Sequence, residues 1–238
     1  MSVCVIPARG GSKRIPRKNL RLFEDVPLIG RTIRTLAKSD KIDKIIVSTD
    51  DPEIAEVAAA FGASVPFYRP VGLSDDFATT KQVMCHAIDE LKKIGINCEH
   101  VCCVYPTAVF LRQKDLEEAL KLFRTGVWQC VMTATPFSSP VQRAFKKVSG
   151  GGIEMLFPGA YSNRSQDTET CYHDAGQFYW ATQQTWQSEA PLFGPQTTFV
   201  EIPSWASCDL DTESDWIDME LKARALSERG FWQGGVLK

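Results

Sequence analysis

No stretch of the 238 residues approaches the ~20 consecutive apolar positions that a bilayer-spanning helix needs. A membrane-spanning protein is therefore not expected. The early apolar run, Val3 to Ala8, is too short for a signal-peptide core and has no basic region before it, so a cytoplasmic location is expected. An excess of positive charge is also missing: 27 Lys and Arg face 29 Asp and Glu, for a formal net charge of -2. Bulk nucleic-acid binding, which draws on a basic surface, is set aside on that ground. Cysteine is not scarce, at eight residues, yet no two stand in C-x-x-C spacing, and Cys102 and Cys103 adjoin inside an apolar run. These thiols read as small buried hydrophobes of a reducing compartment. Neither the G-x-x-x-x-G-K-[ST] phosphate loop nor the G-x-G-x-x-G dinucleotide fingerprint occurs. Internal repeats and low-complexity linkers are absent as well.

What is present is ordinary globular material, 44% hydrophobic and 24% charged, in which apolar strands alternate with amphipathic helices. Ser2 to Arg9, Lys44 to Asp50, Ser64 to Tyr68, Val101 to Pro106 and Cys130 to Ala134 read as buried strands. Between them, Leu28 to Ala37, Pro52 to Phe61, Thr80 to Lys93 and Lys114 to Phe123 carry helical apolar spacing. That repetition predicts a three-layer α/β/α fold around a mostly parallel sheet, with the carboxyl ends of the strands at one ligand-binding edge. The pattern breaks over 138–172, which is rich in Ser, Gly, Gln and Asn and holds Gly150-Gly151-Gly152. A loop of that length is expected to form an inserted arm, suited to packing on a partner subunit. Regular structure resumes at Gly176-QFYWAT and Thr198-FVEI, and a last helix opens at Thr212, which Asp215 helps to cap. One domain, 1–238, with an arm inside it is the simplest organisation.

Two segments carry chemistry. Pro7-ARGGSKRIPRKN-Leu20 follows the first strand and has the placement of a phosphate-binding turn. Gly10 and Gly11 allow close backbone approach, successive N–H groups after Ala8 can cradle an anion, and Arg9, Lys13 and Lys18 add charge. Ser12 and Asn19 can bond a ligand. A solvated basic turn is the plainer reading of the same residues. Near the other end, Asp209 and Asp211 lie two apart, so on extended backbone both carboxylates face one way. Magnesium takes one or two carboxylates and completes its shell with phosphate and water oxygens. The plainer reading here is acidic decoration of a helix N-terminus, which the helix dipole favours.

Ile6-PARGGSKRIPRKN-Leu20 resembles the signature of the acylneuraminate cytidylyltransferase family, and further blocks follow in order. They are Pro27-LI-Gly30, Ile46-VSTD-Asp51, Arg69-PVGLSDDFAT-Thr80, Tyr105-PT-Ala108 and the acidic run Cys208 to Trp216. The resemblance implies a nucleotidyltransferase of Rossmann-like type that uses CTP, with Mg2+ or Mn2+, to activate a nonulosonic acid. It implies that Ala8, Arg9, Gly10, Gly11, Ser12, Lys18 and Asn19 hold the CTP phosphates and ribose, and that Arg69 and Thr80 contact the cytidine. Lys18, Arg9 and Asp211 are then the catalytic candidates, and Asp209 and Asp211 the metal ligands.

Tyr172-HDAGQFY-Trp180 and the Tyr before Pro106-Thr107 are similar to the pseudaminic acid branch of that family. Tyr105, Thr107, His173, Asp174 and Gln177 are the sugar-side candidates, with Arg143 or Arg164 as a cation supplied from the arm. Phe178, Tyr179 and Trp180 read as core or interface aromatics. Branches acting on N-acetylneuraminate or legionaminate, and a CTP-binding relative without turnover, are the alternatives. The family's habit and the arm together imply a homodimer.

Overall fold

The computed structural model describes residues 1–160, 164, 167–233 and 236–237. In chain order the elements are β1 (Ser2–Pro7), β2 (Leu22–Phe23), β3 (Val26–Pro27), α1 (Leu28–Leu36), β4 (Lys44–Ser48), α2 (Pro52–Ala60), α3 (Thr80–Lys93), β5 (His100–Val104), α4 (Gln113–Phe123) and β6 (Cys130–Pro136). The second half adds β7 (Phe145–Lys147), β8 (Ile153–Met155), β9 (Tyr172–Thr182), α5 (Gln183–Gln187), β10 (Thr197–Glu201), α6 (Glu213–Glu228), β11 (Trp232–Gln233) and β12 (Val236–Leu237).

Six strands form the central sheet in the order β10-β6-β9-β5-β1-β4. After Ser2, strand β1 is apolar because both of its faces are covered. Cys4 and Ile6 pack with Ile29, Ile33 and Leu36 of α1 and with Leu116 and Leu120 of α4. Val3 and Val5 pack on the other side with Met84, Ile88 and Leu91 of α3 and with Trp186 of α5. The expected three layers are thus present. Two helix starts follow from local chemistry: Asp51 accepts from the N–H groups of Glu53 and Ile54 to cap α2, and Thr212 forms a capping box with Asp215 on α6. All eight cysteines are free. Among the described residues, no helix is long and apolar enough to cross a membrane.

Three expectations need correction. Strand β9 runs antiparallel to both of its neighbours, β5 and β6, so the ligand edge receives its amino end rather than its carboxyl end. The buried run at 176–182 shows no period that reports direction. Ser64 to Tyr68 makes only two isolated bridges, Ile46 with Ser64 and Thr49 with Tyr68. Pro66 lies between them and has no N–H to donate to a ladder. The arm is not wholly irregular either: β7 and β8 pair as a hairpin, Phe145 opposite Met155 and Lys147 opposite Ile153. Gly150 and Gly151 adopt positive φ, 95° and 91°, in the turn between them.

A third apolar cluster determines the site. Ile15 of the basic loop, Leu210 of the acidic segment, Val109 and Phe110 after β5, and Trp216 and Met219 of α6 are buried together. Their packing draws the two ends of the chain to the same edge of the sheet.

Candidate active site

The loop after β1 is held from below by its own backbone. The N–H of Ala8 donates to the Ser48 carbonyl at 3.0 Å, that of Gly10 to Asp50 Oδ1 at 3.0 Å, and that of Ser12 to the Gly10 carbonyl at 3.0 Å. A Cβ on Gly10 would lie 2.5 Å from Asp51 Oδ2, so the residue must be glycine for this approach. Gly11 is exposed, with open space where a side chain would begin. Asn19 is buried; its Nδ2 donates to the Arg9 carbonyl at 3.0 Å, while its Oδ1 has no partner.

The basic side chains reach carboxylates and carbonyls far off in sequence. Arg9 and Lys13 share Asp76, at 2.7 and 2.5 Å. Arg14 pairs with Asp211 at 2.7 Å, and the Lys18 ammonium donates to the Leu210 carbonyl. Burial pulls the Lys18 ammonium below the usual lysine range, against the opposing pull of Asp211 and then Asp209. Asp209 is pushed above the usual carboxylate range by burial and then by the charge of Asp211. Asp209 and Asp211, two residues apart beside a half-buried ammonium, form a site that welcomes added positive charge.

These groups surround a cleft of about 530 Å³ lined by Arg9, Ser12, Lys13, Arg14, Lys18, Asn19, Asp76, Tyr105, Pro106, Thr107 and Asp211. A smaller recess of about 180 Å³ continues from it past Arg69, Asp75, Ala78, Thr80 and Val83, sharing Arg9, Asp76 and Tyr105. Arg69 is 6% exposed there, and its Nε and Nη2 have no hydrogen-bond acceptor, although Asp50 stands 3.9 Å away. Burial lowers its pKa. A buried guanidinium with open donors is suited to a polar ligand atom. Tyr105, whose hydroxyl burial pushes to about 12, shares a 2.7 Å hydrogen bond with Thr80 and so joins the recess to the cleft.

The structure therefore brings together most of the residues that the sequence singled out: Arg9, Ser12, Lys18, Asn19, Arg69, Thr80, Tyr105, Thr107 and Asp211. Ala8 and Gly10 sit beneath the cleft, with their N–H groups already used. Asp209, whose carboxylate is partly desolvated beside Asp211, is not among the residues lining the cleft. His173, Asp174 and Gln177 do not line it. The His173 ring packs 4.8 Å from that of Phe137, and Asp174 accepts from the Gly176 N–H and the Tyr179 hydroxyl. Gln177 is 2% exposed. Asp76 went unmarked as a site residue, although its pairing with two loop cations places it at the centre; the Asp75-Asp76 doublet following Arg69 in the same loop was the available signal.

Among the described residues no three metal-type side chains come together. A pair of carboxylates is nevertheless what a magnesium ion takes when phosphate and water oxygens supply the rest of its octahedron, so the donor set fits.

An open α/β sheet with a polycationic loop facing acidic residues across its carboxyl edge defines a nucleotidyltransferase-type enzyme. The cytidylyltransferase family profile matches residues 3–142. A pseudaminic acid cytidylyltransferase of Campylobacter jejuni is 41% identical over 90% of this chain and 92% of its own. CMP-N,N'-diacetyllegionaminic acid synthase of Legionella pneumophila is 32% identical over 94% and 98%. The solved structure of CMP:2-keto-3-deoxy-manno-octonic acid synthetase complexed with CTP superposes with a TM-score of 0.69 at 17% identity, covering 95% of this chain and 99% of that one. The chain belongs to the cytidylyltransferase family and is a CTP-dependent enzyme of that class.

Proposed function

We propose that this enzyme transfers CMP from CTP to the anomeric hydroxyl of pseudaminic acid and releases pyrophosphate. One observation carries the reading: the basic loop and Asp211 line a single cleft, so a triphosphate and a cation-binding carboxylate meet there. The choice of sugar is supported by the Campylobacter jejuni relative, which bears that name at 41% identity.

In the reaction the sugar hydroxyl oxygen attacks the α-phosphorus, the bond from that phosphorus to the bridging oxygen breaks so that pyrophosphate leaves with the electron pair, and the hydroxyl proton passes to solvent water. Negative charge grows on phosphoryl oxygens, so catalysis is mostly positioning and electrostatic stabilisation. Arg69 and Thr80 orient the nucleoside in the recess. Arg9 and Lys13 turn from Asp76 to the phosphates, and Lys18 turns from the Leu210 carbonyl to the transferring group. Asp209 and Asp211 would hold Mg2+ or Mn2+, which would supply charge neutralisation at the phosphate oxygens and a lowered pKa for the attacking hydroxyl. Tyr105 and Thr107 stand on the sugar side, with His173 and Asp174 at the nearby amino end of β9.

Pyrophosphate release, measured with CTP and each of pseudaminate, N-acetylneuraminate and N,N'-diacetyllegionaminate, tests this. Turnover with pseudaminate is expected. Turnover with either other acid and none with pseudaminate would overturn the sugar assignment.

The arm supports a homodimer. Phe145, Lys147, Ile153 and Met155 share one face of the β7–β8 hairpin, with Phe145 58% and Ile153 63% exposed. Leu156 and Phe157 beside them are also exposed. Sedimentation should give a dimer for the parent and a monomer for Ile153→Glu; a monomeric parent at working concentration would sink the arrangement.

A further inference from the structure

Gln177 occupies a position where its polarity is not explained by packing. It is 2% exposed, and the neighbouring residues on the sheet edge, Ala175, Ile202 and Ala206, form an apolar cluster. A leucine would fill such a place. The amide instead donates from Nε2 to the Ala206 carbonyl at 2.7 Å, and leaves its own Oε1 without a partner. At the same time the Gln177 backbone carbonyl accepts from the Tyr105 N–H at 2.9 Å. One residue of β9 thus holds the floor of the cleft with its main chain and a second segment with its side chain.

That second segment leads from Ala206 to Asp211, and it is extended and irregular between the turn at Ser204–Ala206 and the start of α6. Its carbonyls are held from three directions. Gln177 holds Ala206, the Lys222 ammonium holds Ser207, and the Lys18 ammonium holds Leu210. The Asp211 N–H donates to Asp215 at 3.0 Å. Of these holds, the one from Lys18 is lost when that side chain turns to a phosphate. The sheet-borne hold from Gln177 stays.

We propose that Gln177 is a positioning residue: through Ala206 it sets the Asp209–Asp211 segment against the Tyr105–Thr107 floor, so that the two carboxylates stay aligned with the phosphates while Lys18 is engaged elsewhere. The proposal rests on the reading of Asp209 and Asp211 given above. It takes the place of the sugar-side expectation for Gln177, because the side chain does not line the cleft and its Nε2 donates inward to the Ala206 carbonyl.

Gln177→Leu tests it. Supporting residues of this kind typically cost 10- to 100-fold in metal affinity or activity, so kcat should fall by about that much. KM for CTP should stay within about twofold, since Arg9, Arg69 and Thr80 are not held through Ala206. Mn2+ binding in the presence of CTP and without any sugar, followed by water-proton relaxation, should weaken on the order of 10-fold. A KM increase confined to the sugar, with kcat and Mn2+ binding unchanged, would make Gln177 a sugar contact and overturn the proposal.

If the leucine variant does not fold, Gln177→Glu carries the test. A protonated buried Glu can still donate to the Ala206 carbonyl, whereas an ionised one repels it. Its kcat should approach that of the parent at low pH and fall as pH rises through the pKa of the buried carboxyl. A profile parallel to that of the parent would overturn the proposal. If the parent turns over no nonulosonic acid at all, the proposed reaction fails, and the sugar-free Mn2+ measurement still decides the role of Gln177.

Discussion

Arg14 donates to Oδ1 of Asp211 across 2.7 Å, closing a contact between residues 197 positions apart. Both partners are exposed, at 66% and 41% of the side chain, and pairs of that kind add little to stability. The value of the contact lies in placing a guanidinium beside the acidic segment, within reach of a triphosphate that offers more charge than one carboxylate. Arg14→Ala should leave thermal stability within about 0.5 kcal/mol of the parent. A charge-assisted hydrogen bond to phosphate is worth enough that KM for CTP should rise on the order of 10-fold. Unchanged KM would mean that Arg14 keeps its grip on Asp211 when CTP binds.

Lys18→Met separates stability from catalysis. Burial lowers the pKa of the folded lysine, so the folded chain holds that proton less tightly than the unfolded chain does. At neutral pH the ammonium is therefore a cost to folding, one that fades as pH rises through the folded pKa. Methionine removes the charge and keeps the bulk, and the melting temperature should hold or rise. Turnover should fall by roughly 10²-fold or more, as when a preorganised donor to a developing anion is deleted. A variant that melts lower and turns over normally would assign Lys18 to the fold alone.

A buried ion pair away from the cleft is costly to break rather than to replace. Arg112 meets Asp115 through two hydrogen bonds, 2.5 and 2.7 Å, with side chains 7% and 3% exposed. Asp115→Ala strands the guanidinium without a counter-charge and should cost about 3–5 kcal/mol in urea unfolding. The double change Arg112→Met with Asp115→Leu should recover most of that loss, since an apolar pair of similar volume needs no counter-charge. If the double variant is less stable than Asp115→Ala, the pair is worth more than its desolvation cost.

The sheet was legible where burial writes a pattern. Val3 to Ile6 are apolar at every position because one pair of side chains faces α1 and α4 and the other faces α3. The cleft residues on the first loop were legible because glycines and cations cluster at a strand end. Strand direction was not: Phe178 to Ala181 are buried on both faces, and nothing in such a run distinguishes a parallel from an antiparallel neighbour. Gln177 reads as a sugar-side candidate because it offers a neutral hydrogen-bonding group in a segment similar to the pseudaminic acid branch; only its bond to Ala206 shows why it is buried. The meeting of Ile15 with Leu210 depends on α6 packing back over the loop, a contact too distant in sequence to leave a local trace.

Asp76 binds Arg9 and Lys13 at once and lines both the cleft and the recess. It occupies with one carboxylate the two cations best placed for a triphosphate, and the Asp75 side chain steadies the loop by accepting from the N–H groups of Phe77 and Ala78. An incoming polyphosphate competes with Asp76 for both cations. Asp76→Asn keeps the shape and removes the competing charge, so metal-free binding of inorganic pyrophosphate, measured by calorimetry, should tighten on the order of 10-fold, the direction set by removing a like charge that competes with the anion for both cations. The same variant should show a shallower dependence of that affinity on salt only if Arg9 or Lys13 is lost from the contact; with both retained, the slope should match that of the parent while the curve moves to tighter binding. Weaker binding by the asparagine variant would show that Asp76 supports the bound anion by positioning its cations and does not compete for them.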